Sequence, residues 1–121
     1  MGGAYRAVAM RTSLTLSLAL PIAGALQAEV TLDGTMGPAG TLPGPDYVIS
    51  DDLGQTVGDN LFHSFGAFNI NSPESATFTG PGNIDNIIGR VTGGDPSTIN
   101  GYLGSAIPSA DLYLINPAGL V

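Results

Sequence analysis

Cysteine is absent from the chain. For an exported protein this excludes disulfide stapling, so the fold must hold by packing and backbone hydrogen bonds. Lysine is absent too. That removes every phosphate loop, which needs a Gly-Lys-Ser/Thr run. Only three residues are basic, Arg6, Arg11 and Arg90. No basic patch can form from so few, and binding to nucleic acid or to an anionic membrane is not expected. Histidine occurs once, as His63.

What the chain does contain is turn chemistry. Gly (18) and Pro (9) are both raised over average usage of roughly 7 % and 5 %. The hydrophobic fraction of 43 % is too high, and the charged fraction of 11 % too low, for a disordered composition. Short strands joined by many turns, an all-β architecture, suit such a chain.

Residues 1–28 have the three-part pattern of a secretory signal peptide. Arg6 and Arg11 give a positive start, residues 14–25 (LTLSLALPIAGA) form an uncharged apolar run, and small residues lead to Ala28 as the last residue before cleavage. The run is shorter than the roughly 20 apolar residues of a membrane span. A membrane anchor or a buried helix are the competing readings. Removal of the leader leaves residues 29–121, a single domain of 93 residues. Arg90 then stands against ten Asp and Glu residues, for a net charge of −9. A domain this small, without disulfide or evident metal, is expected to be marginally stable.

Along residues 29–121, alternation of apolar and polar residues predicts strands at 29–34, 47–49, 76–79, 86–91, 99–103 and 111–115. Residues 36–45 read as a Gly/Pro loop, and 51–58 as a turn with a weak strand inside it. In 60–70, Phe62, Phe65 and Phe68 recur every third residue, and Gly66 interrupts them. That segment reads as a short strand or helical turn at 61–65 and a strand at 67–70. From residue 76 on, strands recur every ten to thirteen residues with Gly, Pro and Asn between them. Such spacing suits a sandwich, a barrel or a stacked solenoid, and does not choose among them.

Three ordered motifs carry a resemblance. They are Arg90-Val91-Thr92-Gly93-Gly94, Pro96-Ser97-Thr98-Ile99-Asn100-Gly101 and Asn116-Pro117-Ala118-Gly119-Leu120. With Asn60-Leu61-Phe62-His63-Ser64-Phe65 and Phe68-Asn69-Ile70 upstream, the chain resembles the haemagglutination-activity domain of filamentous-haemagglutinin-like exoproteins. It departs from that family in two places. Ala118 stands where many members have Asn, and Gly82-Asn83-Ile84 lies near the place of a missing Asn-Pro-Asn-Leu motif.

The resemblance implies a right-handed, single-stranded parallel β-helix with N-terminal capping strands. It also implies two-partner secretion through the periplasm to the cell surface or medium. The implied partner is an outer-membrane transporter that meets the chain through its periplasmic domains. A host or cell-surface receptor would be met through a passenger region that follows. The family's domain is longer than this chain, so the β-helix is expected to be incomplete and the chain truncated after its first part. Carried over residue by residue, the motif positions for transporter recognition are Asn116, Pro117, Ala118, Gly119, Leu120, Arg90 and Asn83. For Asn116 to Gly119 a structural reading is favoured: Pro117 fixes φ, Gly119 takes an unusual backbone conformation, and Asn116 bonds back to the turn.

In such a solenoid, Ile87, Val91, Leu112, Leu114 and Ile115 are candidate core residues. No catalytic residue, cofactor or metal site is expected. His63 and Ser64 are neighbours, and neighbours in a strand point to opposite faces. No Gly-x-Ser-x-Gly elbow is present. Asp51, Asp52 and Asp59 match no calcium-loop spacing. The function expected is that of a secretion and adhesion module. The alternatives are a β-helix carbohydrate-active enzyme such as a polysaccharide lyase, which would need more basic residues than Arg90, and a nonfunctional remnant.

Overall fold

A computed structural model describes residues 28–121. Apart from Ala28, the expected leader lies outside the described residues. The described chain is all-β. Its strands are β1 (Val30–Asp33), β2 (Ala39–Thr41), β3 (Asp46–Ser50), β4 (Gln55–Val57), β5 (Asn60–Phe68), β6 (Ser75–Thr79), β7 (Asn86–Val91), β8 (Tyr102–Ser105) and β9 (Asp111–Ile115). One 3-10 turn, Asp51–Leu53, lies between β3 and β4. Among the described residues no helix is long and apolar enough to cross a membrane.

The strands form two sheets, and the larger is mixed. Its order is β2-β1-β5-β7-β9, with β4 also on β5. β1, β2 and β4 pair antiparallel, while β5, β7 and β9 are parallel neighbours. The smaller sheet, β3-β6-β8, is parallel throughout. Two isolated parallel bridges, Ile70 with Ile99 and Ser97 with Leu120, lie outside both sheets. From β5 on, the strands alternate between the sheets. The register repeats from Asn60 to Asn86 to Asp111.

This register sorts the side chains. Leu61, Ile87 and Leu112 stand side by side and point inward, as do Phe65 and Val91. They meet Tyr47, Ile49, Ala76 and Phe78 of the smaller sheet. Aromatic rings fill the centre, with Phe65 and Phe68 edge to face at 4.9 Å and His63 against Phe78 at 5.3 Å.

The threefold spacing of the phenylalanines has a β explanation. Thr31 pairs with Ala67 but Leu32 with Phe65, so Gly66 is an extra residue, a β-bulge. The bulge resets the alternation and brings both Phe65 and Phe68 into the core. Segments 61–65 and 67–70, expected to be separate, are therefore one long strand. Gly93 sits where the chain passes closest to this corner, and a Cβ there would run into the Gly66 carbonyl oxygen.

Three further expectations are corrected. The strand foreseen at 99–103 starts later, at Tyr102, because Ile99 is occupied in its bridge to Ile70. Leu112 and Leu114 do point inward, but they are only half-buried: β9 is an edge strand, and no described strand covers its far side. Ile115 is not a core residue and is 51 % exposed. It pairs with Arg90 on the outward face, where alternation after Leu114 must put it.

Candidate functional site

On the outer face of the larger sheet, Ser64 on β5 and Arg90 on β7 lie side by side in the register. The end of β1 brings Asp33 over them. Asp33 Oδ2 accepts hydrogen bonds from Ser64 Oγ (2.6 Å) and Thr92 Oγ1 (2.7 Å), and its Oδ1 accepts from the Thr35 amide and hydroxyl. Arg90 donates from Nε to Ser64 Oγ (2.8 Å) and from Nη2 to Thr35 Oγ1 (2.9 Å). Partial desolvation by itself would raise the Asp33 carboxyl. The hydrogen bonds from Ser64, Thr92 and Thr35 outweigh it and hold Asp33 well below the usual carboxylate range. Five polar side chains thereby tie the antiparallel N-terminal strands to the parallel ladder.

Next to this network lies a groove of about 570 Å³. Its apolar lining includes Met36, Phe62, Ile88 and Ile115, and Arg90 with Thr92 forms a polar edge. Phe62 and Ile88 are register partners on the outward face, so alternation alone directs both into the groove. The turn after β9 closes one end with Asn116, Pro117 and Ala118.

That turn has the construction expected of it. Asn116 Oδ1 accepts from the Ala118 amide (2.9 Å), the Gly119 amide donates to the Asn116 carbonyl, and Gly119 adopts φ +117°. The Asn116 side-chain amide is also spent inside the protein: Nδ2 donates to the Asp95 carbonyl and to Ser97 Oγ, both at 2.9 Å. What the turn offers to a partner is therefore the surface of Pro117 and Ala118.

The structure brings together four of the seven motif residues named from the sequence: Arg90, Asn116, Pro117 and Ala118 all line the groove. Gly119 and Leu120 lie beyond the turn, where Leu120 bridges to Ser97. Asn83 is exposed in the turn before β7, at the opposite end of the ladder from Asn116. The sequence reading missed Phe62 and Ile88, although apolar residues at outward positions of a strand are a usable signal. It also missed Asp33, which carries no local mark and gains its role only from contact across the sheet.

His63 and Ser64 do point to opposite faces. His63 is 1 % exposed, packed among Phe65 and Phe78, and its ring nitrogens reach no partner at hydrogen-bond geometry. Burial pushes its pKa down to about 4, opposed only in part by the Asp51 carboxylate and the Leu53 backbone. Among the described residues no cluster of three metal-ligating side chains occurs.

Residues 28–121 match the family model described as the TPS secretion domain. The chain matches no curated protein and no solved structure.

Proposed function

The chain belongs to the TPS secretion domain family, the domains of two-partner secretion exoproteins, and from that premise we propose that it directs export through an outer-membrane transporter. In this reading, residues 1–28 are a cleaved signal peptide, and the rest meets the transporter in the periplasm with the groove already formed, then completes its folding outside. The fold it nucleates there is a right-handed parallel β-helix. The parallel ladders β5-β7-β9 and β3-β6-β8 and the two bridges support a helical winding, with β1 and β2 as capping strands. The mature protein would then be secreted or surface-held and adhesin-like.

The observation that carries the recognition reading is the groove, which gathers Arg90, Asn116, Pro117 and Ala118 from separate motifs onto one apolar surface. Short apolar β segments around it suit strand addition to an exposed sheet edge of the transporter's periplasmic domains. A non-catalytic role is supported at Ser64, whose hydroxyl is engaged by Asp33 and Arg90 and which is buried. Gly119, Leu120 and Asn83, which lie outside the groove, contribute to folding rather than to recognition.

The test is secretion in cells that carry the cognate transporter. Ile88→Asp and Ala118→Asp change the groove and leave the inward face alone. Both variants should lower the amount of chain in the medium at least several-fold, while the exported fraction melts like the wild type. Unchanged secretion of both would remove the groove from transporter recognition.

A further inference from the structure

The expected leader junction, the peptide bond between Ala28 and Glu29, is built into the folded domain. The Glu29 amide donates to the Asn69 carbonyl (3.0 Å), and the Asn69 amide donates to the Glu29 carbonyl (2.8 Å). Tyr47 Oη donates to the Ala28 carbonyl at 3.2 Å. Tyr47 is only 4 % exposed, so its hydroxyl is a buried polar group that needs a partner. Ala28, Glu29, Tyr47 and Glu74 all face one cavity of about 570 Å³, walled further by Pro45 and Pro73. Burial, the Glu74 carboxylate and the Glu29 carboxylate hold the Tyr47 phenol above its ordinary pKa, so it stays a neutral donor.

Cleavage after Ala28 changes this cavity. Water adds across the Ala28–Glu29 amide: the hydroxyl goes to the Ala28 carbonyl carbon and a proton to the Glu29 nitrogen, and the new Ala28 carboxyl ionises as the Glu29 amine takes up a second proton. The reaction is a hydrolysis by a leader peptidase and needs no other reactant. Ala28 departs with the leader, and Tyr47 loses one acceptor and keeps the Glu74 carboxylate. At the same point the Glu29 nitrogen becomes an α-ammonium with two more donors, while Asn69 can still accept one.

We propose that this cavity is a receptor for the chain's own α-ammonium, with the Asn69 carbonyl, the Tyr47 hydroxyl and the Glu74 carboxylate as its ligands. Leader removal thereby creates a cation where the fold already has acceptors for it. In a chain with ten acidic residues and, after cleavage, Arg90 as the one basic side chain, this cation is a sizeable part of the positive charge. The folded domain is then more stable with a free Glu29 amine than with that amine blocked. The inference rests on cleavage after Ala28, which mass spectrometry of the exported chain checks separately.

The absence of Lys makes the experiment direct, because the α-amine is the only primary amine in residues 29–121. The exported, processed chain is treated with an acetylating reagent across pH 6 to 10, and the rate profile yields the pKa of the amine. A chain released at Glu29 from a cleavable fusion serves equally if natural cleavage falls elsewhere. The expected inflection lies clearly above the ordinary α-amino range of about 7.7–8.0. Tyr47→Phe and Glu74→Gln should each move it back toward that range. The sign for stability follows. A raised amine pKa adds stability that is fully present below the ordinary value and is lost as the pH rises through the raised one. Acetylated protein should therefore melt lower than free-amine protein at pH 6.5, with the difference vanishing at high pH. An inflection at or below the ordinary range, or equal melting of the two forms at pH 6.5, overturns the proposal.

Discussion

His63 sits in an environment at odds with its chemistry. An imidazole with an ordinary pKa near 6.5 sits among phenylalanine rings, where the charged form is unfavourable. The folded state therefore binds the proton less readily than the unfolded state does. Stability is fully present above pH 6.5, falls as the pH drops below it, and levels off near pH 4, with a total loss of roughly 3 kcal/mol from this group. Melting temperatures measured from pH 7.5 to 4.5 should show this decline, and His63→Leu should flatten it. Equal slopes for the two proteins would mean that the ring is hydrated or partnered in solution. Asp33, by contrast, is legible only in three dimensions. Its carboxylate is satisfied by donors 2, 31 and 59 residues away in sequence, and no local pattern marks it.

At the scale of the element, edge and centre separate residues that look alike in sequence. Ile87 and Leu112 occupy the same inward position on neighbouring strands. Ile87 is fully buried on β7, which has β5 on one side and β9 on the other. Leu112 is half-buried on β9, where only β7 packs against it. Ile87→Ala should cost roughly 2–5 kcal/mol, the range for deleting buried methylenes and leaving a cavity. Leu112→Ala removes less buried area and should cost about 1–2 kcal/mol. Leu112→Asp should likewise cost less than Ile87→Asp, because a carboxylate on β9 can reach water. Denaturant titrations of the four variants give the order directly. A Leu112 loss as large as that of Ile87 would show that β9 is covered in solution.

Across the whole molecule, apolar exposure and charge oppose each other. Five of the seven large hydrophobics exposed among the described residues lie from Tyr102 onward: Tyr102, Tyr113, Ile115, Leu120 and Val121. Tyr113 and Ile115 lie on β9 itself, whose outer edge presents backbone donors and acceptors not paired within the described residues. A net charge of −9 keeps copies apart, over a Debye length of about 10 Å at 0.1 M salt and about 3 Å at 1 M. Residues 29–121 should therefore scatter light as monomers at low salt and associate as salt is added. Tyr113→Lys and Ile115→Lys, on the outward face of β9, should suppress that association. Monodisperse behaviour at 1 M salt would overturn the reading of β9 as an open, association-prone edge.

The sequence by itself determined the all-β class, the positions of β7 and β9, the inward direction of Ile87, Val91, Leu112 and Leu114, and the build of the Asn116–Gly119 turn. These are local matters: alternation sets which face a side chain takes, and Gly, Pro and Asn set where the chain can bend. Motif order also carried the family. The tertiary structure alone decided which strands pair, and in which direction. It decided that the bulge at Gly66 makes one strand of β5, that β9 is an edge, and that Arg90 joins Asp33's network and lines the same groove as Pro117. Each of these depends on contacts between residues some 25 or more positions apart in the chain. Their energies come from burial and satisfied hydrogen bonds across sheets, and no window of neighbouring residues contains them.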